Sequence, residues 1–262
     1  MSLEAGNIEG HKWPLFHIAG RGCAAVMRLV PRRFRFGAAL LAARAAVPIV
    51  RKTEAFREHR ASKVDGDLEI ALHFVLSVLT KSGVTFDPLF VVREYEEVRQ
   101  AHASGKGLLV ICPHAALSLL LARLLYDNGL EFIVITADPL MRVGGTCRLV
   151  QTLQPSPTFL IRMRNLLRGG RLICAMPDRA EHQKGRTIEF ETTAGPIIIA
   201  PALMRVAARC GAKVIFSEMH VEGRGIVATF AAPSPACDGS ADAITAGFIE
   251  FIRAHIESRS VR

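Results

Sequence analysis

The sequence predicts an α/β fold in which a sheet with crossover helices follows a helical N-terminal region. After Gly105, short apolar runs alternate with stretches in which apolar residues recur three and four apart. This alternation is typical of strands joined by helices. Half of the 262 residues are hydrophobic, so the chain has ample material for a large core. We therefore divide the chain into a basic amphipathic helical region, residues 1–85, and an α/β domain, residues 86–262.

Hydrophobic periodicity places the individual elements. In the N-terminal region it predicts helices over residues 24–29, 34–50 and 68–79, with Pro31 and Pro48 as breaks. In the α/β domain it predicts strands over residues 108–112, 132–136, 158–161, 172–175, 187–191, 213–218 and 226–230. The helices predicted there cover residues 115–126, 140–149, 196–209 and 241–258.

The distribution of charge points to an anionic partner at the N-terminus. The net charge is +9, and the first 60 residues hold 11 Lys or Arg against 4 Asp or Glu. Arginines there alternate with Phe34, Phe36, Leu40 and Leu41, a composition typical of a helix on an anionic membrane surface. The alternative is an ordinary helical layer packed against the α/β domain.

The same region lacks the pattern of a membrane-spanning segment or a signal peptide. Its most apolar stretch, residues 37–50, contains Arg44 and is shorter than the roughly 20 residues that a bilayer requires. Glu4 and Glu9 lie where a signal peptide has a basic, then apolar, sequence. We expect the protein to stay in the cytoplasm.

Composition also argues against several other classes. The six cysteines show no metal-ligand spacing, so we expect reduced thiols and no metal. No Gly-x-Gly-x-x-Gly sequence follows a strand, which argues against a dinucleotide cofactor. The positive charge alone suggests nucleic acid, but aromatic residues make up only 6% of the chain and leave few stacking surfaces. We expect no nucleic-acid partner.

Two segments carry polar residues at the end of a predicted buried strand, where open α/β sheets place their sites. The first is Gly-Lys-Gly-Leu-Leu-Val-Ile-Cys-Pro-His, which ends at His114. The second runs from Gly169 through an apolar strand to Pro-Asp at Asp178. A loop over residues 190–201 then leads to a helix rich in small residues and a Gly-Ala-Lys-Val strand.

In this order the segments resemble the lysophospholipid (glycerolipid) acyltransferase superfamily, most closely the acyltransferases of lipid A biosynthesis. The resemblance extends from about residue 31 to residue 233. It implies a mixed sheet flanked by helices. It also implies that His114 is a general base and that the acyl donor is an acyl carrier protein or coenzyme A thioester. The acceptor would be a hydroxyl or amine of a lipid, and no cofactor would be needed. The protein would lie on the cytoplasmic face of the cell inner membrane as a peripheral protein.

The sequence departs from this family at one catalytic position. In the family, an Asp or Glu follows the histidine after four intervening residues. This chain has Leu119 at that position. A histidine without an orienting acid loses control of its tautomer, and in serine proteases the comparable loss is about 10⁴-fold in turnover. Ser118 and Asp178 are the candidates to support His114, and Glu181 is a further acid that the fold could bring near.

The resemblance also implies an acceptor phosphate, which arginine binds through its planar guanidinium. The candidates are Arg142, Arg162, Arg164 and Arg179, near predicted strand ends or loops. The missing acid leaves an alternative open, in which the protein is a catalytically impaired relative that binds acyl chains or lipid.

Overall fold

The computed structural model describes residues 22, 24–52, 65–139, 141–143, 146, 148–178, 186–193, 195–233 and 239–260. Residues 24–29 are helical and precede the named elements. The helices are α1 (Arg32–Val50), α2 (Asp67–Lys81), α3 (Tyr95–Ala103), α4 (Leu119–Asp127), α5 (Phe159–Arg168), α6 (Ala202–Cys210) and α7 (Ala241–Ser260). The strands are β1 (Phe90–Arg93), β2 (Leu108–Ile111), β3 (Phe132–Ile135), β4 (Gln151–Leu153), β5 (Leu172–Ala175), β6 (Ile188–Phe190), β7 (Ile197–Ile199), β8 (Lys213–Glu222) and β9 (Gly225–Ala231).

Seven strands form one mixed sheet in the order β1-β9-β8-β2-β5-β3-β4. The five strands from β8 to β4 are parallel to one another, whereas β9 is antiparallel to β8 and parallel to β1. The strands β6 and β7 form a separate antiparallel pair. Every residue of β2 and β5 is buried, which is typical of parallel strands covered on both faces. The α/β class predicted from the sequence is confirmed.

Helices cover both faces of the sheet and divide the core. On one face, Phe36 of α1, Leu72 of α2 and Leu121 of α4 share a cluster with Val110 of β2. On the other face, residues of α5, α6 and α7 pack against Ile111 and Phe216. The predicted N-terminal helices therefore contribute directly to the main core as a packed layer.

Two predicted elements are wrong. Residues 159–161, predicted as strand, begin the helix α5, in which Met163 and Leu167 are buried four residues apart. The described residues of the helix predicted over 140–149 are not helical: Arg142 forms an isolated bridge with Leu149, and Val143 accepts and donates main-chain hydrogen bonds. The adjacent glycines at positions 144 and 145 in the sequence disfavour a helix there.

Other predicted boundaries shift for local reasons. Pro48 does not break α1, which continues for two residues beyond it to Val50 although proline has no main-chain N–H to donate. The predicted helix 196–209 begins instead with β7, whose three isoleucines favour a strand, and α6 follows Pro201. The pattern also missed β1, α3 and β4, which are short.

Glycines fix the entry of β2 and β5 into the sheet. A Cβ on Gly107 would lie about 2.1 Å from the main-chain oxygen of Leu167 at the end of α5. Gly170 has a φ of +76°, and a Cβ there would lie about 2.8 Å from the oxygen of Gly105. The Gly-Lys-Gly and Gly-Gly sequences therefore allow two main-chain segments to approach at the amino ends of the strands.

Among the helices of the described residues, none combines the length and the apolar character required to cross a bilayer.

Candidate functional site

His114 lies in the loop that leaves the carboxyl end of β2. Pairing with β5 continues one residue past the strand, where the N–H of Cys112 donates to the oxygen of Ala175 at 3.0 Å. Pro113 then turns the chain, and the N–H of Ala115 donates to its carbonyl at 2.8 Å. His114 is half-buried. Its position is the one at which open α/β sheets carry their sites.

Asp178 lies beside this loop. It follows β5, the strand next to β2, so the two strand ends emerge together. Its Oδ2 accepts a hydrogen bond of 2.6 Å from the main-chain N–H of His114. The structure therefore brings together two of the residues singled out from the sequence, and their closeness follows from the neighbouring positions of β2 and β5.

A second carboxylate and a second imidazole hold the same loop. The N–H of Ala116 donates to Oδ2 of Asp65 at 2.8 Å, and Nδ1 of His73 lies 2.7 Å from the carbonyl oxygen of Ala116. Because a carbonyl only accepts, Nδ1 of His73 is the donor in this pair. Sequence reasoning missed both residues. Asp65 precedes α2 and His73 lies within it, and only the packing of α2 places them at a loop more than 40 residues later.

Ser118 does not have the position expected from a helix that begins at residue 115. Residues 116–118 form a turn, and α4 begins at Leu119, so Ser118 is the residue before the helix. Its hydroxyl donates to the carbonyl of Ala115 at 2.6 Å and lies 3.7 Å from the sulfur of Met176. These contacts stabilise the turn after His114.

Cys112, two residues before His114, is a buried thiol. Burial raises its pKa well above the ordinary value, and the nearby Cys174 and Asp178 raise it further. Because the thiolate is the nucleophilic form, Cys112 is unsuited to covalent catalysis.

A cavity of about 510 Å³ opens beside the loop, on the α2 and α4 face of the sheet. Ala116 and Leu117 of the loop line it, together with the apolar residues Leu76, Phe86 and Met141. Lys81 and Arg142 are cationic residues on its wall, whereas Asp138 is anionic. The cavity therefore offers an apolar surface with charged groups, which suits an amphipathic ligand.

The three candidate arginines within the described residues do not form one cluster. Arg142 lines the cavity next to the His114 loop. Arg162 and Arg164 are exposed on α5, which packs on the other face of the sheet, and Arg162 borders a different cavity of about 330 Å³ near β4. Arg179 and Glu181 lie outside the described residues.

One group of potential metal ligands lies apart from this loop. In the described ranges, Glu218 and His220 of β8 and His255 of α7 place ligand atoms within 4.8 Å of one another. None of the three lines the cavity beside His114. Sequence spacing did not reveal them, because β8 and α7 are well separated along the chain.

Comparison with known proteins gives no further guide to this site, since no protein-family model matches the chain and no curated protein is significantly similar to it.

Proposed function

We propose that the protein is an acyltransferase that moves a fatty acyl group from an acyl carrier protein or coenzyme A thioester to a hydroxyl or amine of a lipid acceptor. The proposed activity is that of the lipid A acyltransferases, because the order of sequence segments in this chain resembles the order in that family. The observation that carries the proposal is the hydrogen bond from the main-chain N–H of His114 to Oδ2 of Asp178 at the carboxyl ends of β2 and β5. It places a carboxylate beside the histidine although position 119 holds leucine.

In the proposed mechanism His114 is the general base. Its imidazole takes the proton from the acceptor hydroxyl or amine, whose oxygen or nitrogen attacks the thioester carbonyl and forms the new ester or amide bond. The carbon–sulfur bond then breaks, and the departing thiolate receives the proton from the imidazolium. A base of this kind contributes about 10² to 10⁴-fold in rate. The carboxylate of Asp178 stabilises the positive charge that His114 acquires, and it fixes the loop through the main-chain hydrogen bond.

The cavity of about 510 Å³ is suited to the acyl chain or another lipid chain. Its volume is within the range of small-molecule sites, and Leu76, Phe86 and Leu117 give it an apolar wall. Arg142 on the same wall is suited to a phosphate of the acceptor, because guanidinium binds two oxygens at once. Arg162 and Arg164 on the other face are not part of this proposed acceptor site.

Peripheral attachment to the membrane is part of the proposal. Exposed apolar side chains lie along the N-terminal helices, at Val26, Leu29, Phe34, Leu41 and Ile49. The last three recur seven and eight residues apart on α1, so they share one face of the helix. The exposed Arg33 and Arg44 belong to the same helix. Apolar residues flanked by arginines are suited to the interface of an anionic membrane.

A second candidate function is binding of acyl chains or lipid without turnover. The leucine at position 119 favours it, because the orienting acid of the family is absent there. The cavity would remain, whereas the rate of acyl transfer would be near that of the uncatalysed reaction.

The test measures acyl transfer from a panel of acyl carrier protein and coenzyme A thioesters to a total lipid extract, with mass spectrometry of the lipid products. Wild type, His114→Ala and a matched control, His102→Ala on α3, are compared. We expect transfer by wild type and the control, and a loss of about 10² to 10⁴-fold in His114→Ala. Undiminished transfer by His114→Ala would contradict the assignment of the base. Absence of transfer by wild type, together with acyl-chain binding, would favour the second candidate.

A further inference from the structure

The cluster at the end of β8 is built from two elements that the core brings together. Glu218 and His220 are two residues apart on β8, so their side chains project from the same face of the sheet. Phe216, two residues earlier on this face, packs against Phe248 and Phe251 of α7. His255 lies one helical turn beyond Phe251, so α7 carries it alongside Glu218.

The distances within the cluster are those of ligands around one small ion. Nδ1 of His220 and Nδ1 of His255 each lie 3.2 Å from Oε2 of Glu218. Ligand atoms at a tetrahedral zinc ion, with bonds of about 2.0 to 2.2 Å, are separated by about 3.4 Å. The three side chains could therefore take up such an ion with small adjustments.

Burial and charge also suit a cation. Glu218 and His255 are 6% and 8% exposed, so the carboxylate has been removed from water. A buried carboxylate requires a bound cation or hydrogen-bond donors, and a metal ion held between Glu218 and the two imidazoles would supply the cation.

Glu222 adds the outer partner that metal-bound histidines commonly have. Its Oε2 lies 3.4 Å from Nε2 of His220, on the opposite side of the ring from Glu218. It also pairs with Arg93 at 3.2 Å. A carboxylate that accepts the Nε2 proton leaves the Nδ1 lone pair directed at the cluster, an arrangement found in carboxylate-histidine-zinc sites.

We infer that Glu218, His220 and His255 form a binding site for a divalent transition-metal ion, with Zn²⁺ as the best match to two imidazoles and one carboxylate. Imidazole ligands disfavour Mg²⁺ and Ca²⁺, which prefer oxygen. Three protein ligands leave the fourth position to water. The ion would link β8 to α7. Its binding does not depend on the proposed acyl transfer. The competing interpretation is a hydrogen-bonded His-Glu-His network that binds no metal.

The experiment uses the full chain without a polyhistidine tag, stripped with a chelator and equilibrated with ZnCl₂. Bound zinc is measured by elemental mass spectrometry and isothermal titration. We expect one Zn²⁺ per chain and a rise in melting temperature, because the ion binds only the folded state. His255→Gln and Glu218→Gln should each weaken binding at least about tenfold. Loss of a residue that only hydrogen-bonds to a ligand already has an effect of this size, and these two variants remove a ligand itself. The matched control His102→Gln should bind like wild type.

Wild-type binding below one equivalent, or affinity unchanged in both ligand variants, would overturn the inference. If the variants do not fold, X-ray absorption of the Zn²⁺-loaded wild type decides the question. A shell of nitrogen and oxygen at about 2.0 to 2.2 Å with two imidazoles supports the site. A shell containing sulfur, or one with fewer than two imidazoles, refutes it.

Discussion

Oδ2 of Asp178 lies 2.6 Å from the main-chain nitrogen of His114, and this hydrogen bond joins the loops that leave two neighbouring parallel strands. If the carboxylate also supports the imidazole in catalysis, Asp178→Asn removes the charge while keeping an oxygen that accepts the same bond. We expect turnover to fall by about 10² to 10⁴-fold with little change in stability. Acyl-transfer rates and urea unfolding measure the two effects.

Asp65→Asn is the control for that variant, because Asp65 holds the N–H of Ala116 in the same loop. A role of Asp178 in charge stabilisation predicts a much larger loss for Asp178→Asn than for Asp65→Asn. Equal losses would assign Asp178 to positioning of the loop alone.

Leu119→Glu places an acid at the position that the resembled family uses. Position 119 is the first residue of α4, where a negative charge also interacts favourably with the helix dipole. In the Asp178→Asn background we expect Leu119→Glu to recover part of the lost turnover, measured with one donor and acceptor. In wild type we expect little gain. A large gain in wild type would show that Asp178 does not serve as the supporting acid.

Membrane attachment is expected to depend on the exposed apolar face of α1. Leu41→Asp introduces a charge on this face, and we expect it to reduce co-sedimentation with anionic vesicles several-fold. Ile161→Asp is the matched control, since Ile161 is an exposed apolar residue on α5. High salt should weaken binding by wild type, because arginines contribute through screened charge. Equal binding by both variants would contradict the proposal.

The cavity next to the His114 loop is expected to set the accepted chain length. Ser77 of α2 lines it, so Ser77→Phe reduces its volume, whereas Ser77→Ala removes only the hydroxyl. Each methylene that no longer fits loses about 0.8 kcal/mol of burial. We expect Ser77→Phe to lower kcat/KM for long-chain thioesters more than for short-chain ones. A uniform loss for every chain length would place the acyl chain elsewhere.

A buried arginine supplies a separate prediction about stability. The guanidinium of Arg123 donates to the carbonyl of Phe86 and to the carboxylates of Asp87 and Asp127. Burial opposes ionisation of Asp87, but hydrogen bonds and charge from Arg32 and Arg123 outweigh it and lower the pKa. Because the folded pKa lies below the unfolded value, the pair stabilises the fold above about pH 4 and loses this effect at lower pH.

Asp87→Asn should therefore cost about 1 kcal/mol at pH 7, where solvent screens the half-exposed carboxylate. The difference from wild type should shrink as the pH falls towards 3. Urea unfolding across this range is the measurement. A difference independent of pH would show that the charge of Asp87 is not what stabilises the contact.

The sequence pattern predicted the central strands well because these strands are buried on both faces. The run of Leu108 to Ile111 and the run of Leu172 to Ala175 are continuous apolar segments, and both are strands of nearly the predicted length. Short amphipathic segments were harder. The run at Phe159 contains apolar residues that suit either structure, and the burial of Met163 and Leu167 on the core identifies the helix.

The site could be predicted only where it depends on strand order. The closeness of His114 and Asp178 follows from two polar residues that end apolar runs, which is visible in the sequence. The contributions of Asp65 and His73 could not be foreseen, because they depend on how α2 packs against a distant loop. The same holds for His255, whose position beside Glu218 depends on aromatic packing between α7 and β8.

The close approach of Gly107 to Leu167 sets the alignment of His114 with Asp178 at the opposite end of the strands. Gly107 immediately precedes β2, and one residue separates Gly170 from β5, so each strand is located by a main-chain contact before it enters the sheet. A slip of one residue between these strands would move their far ends apart by about 3.3 Å, more than the length of the hydrogen bond between them. A side chain added at Gly107, at the other end of the four-residue strand β2, would therefore misalign the proposed catalytic pair.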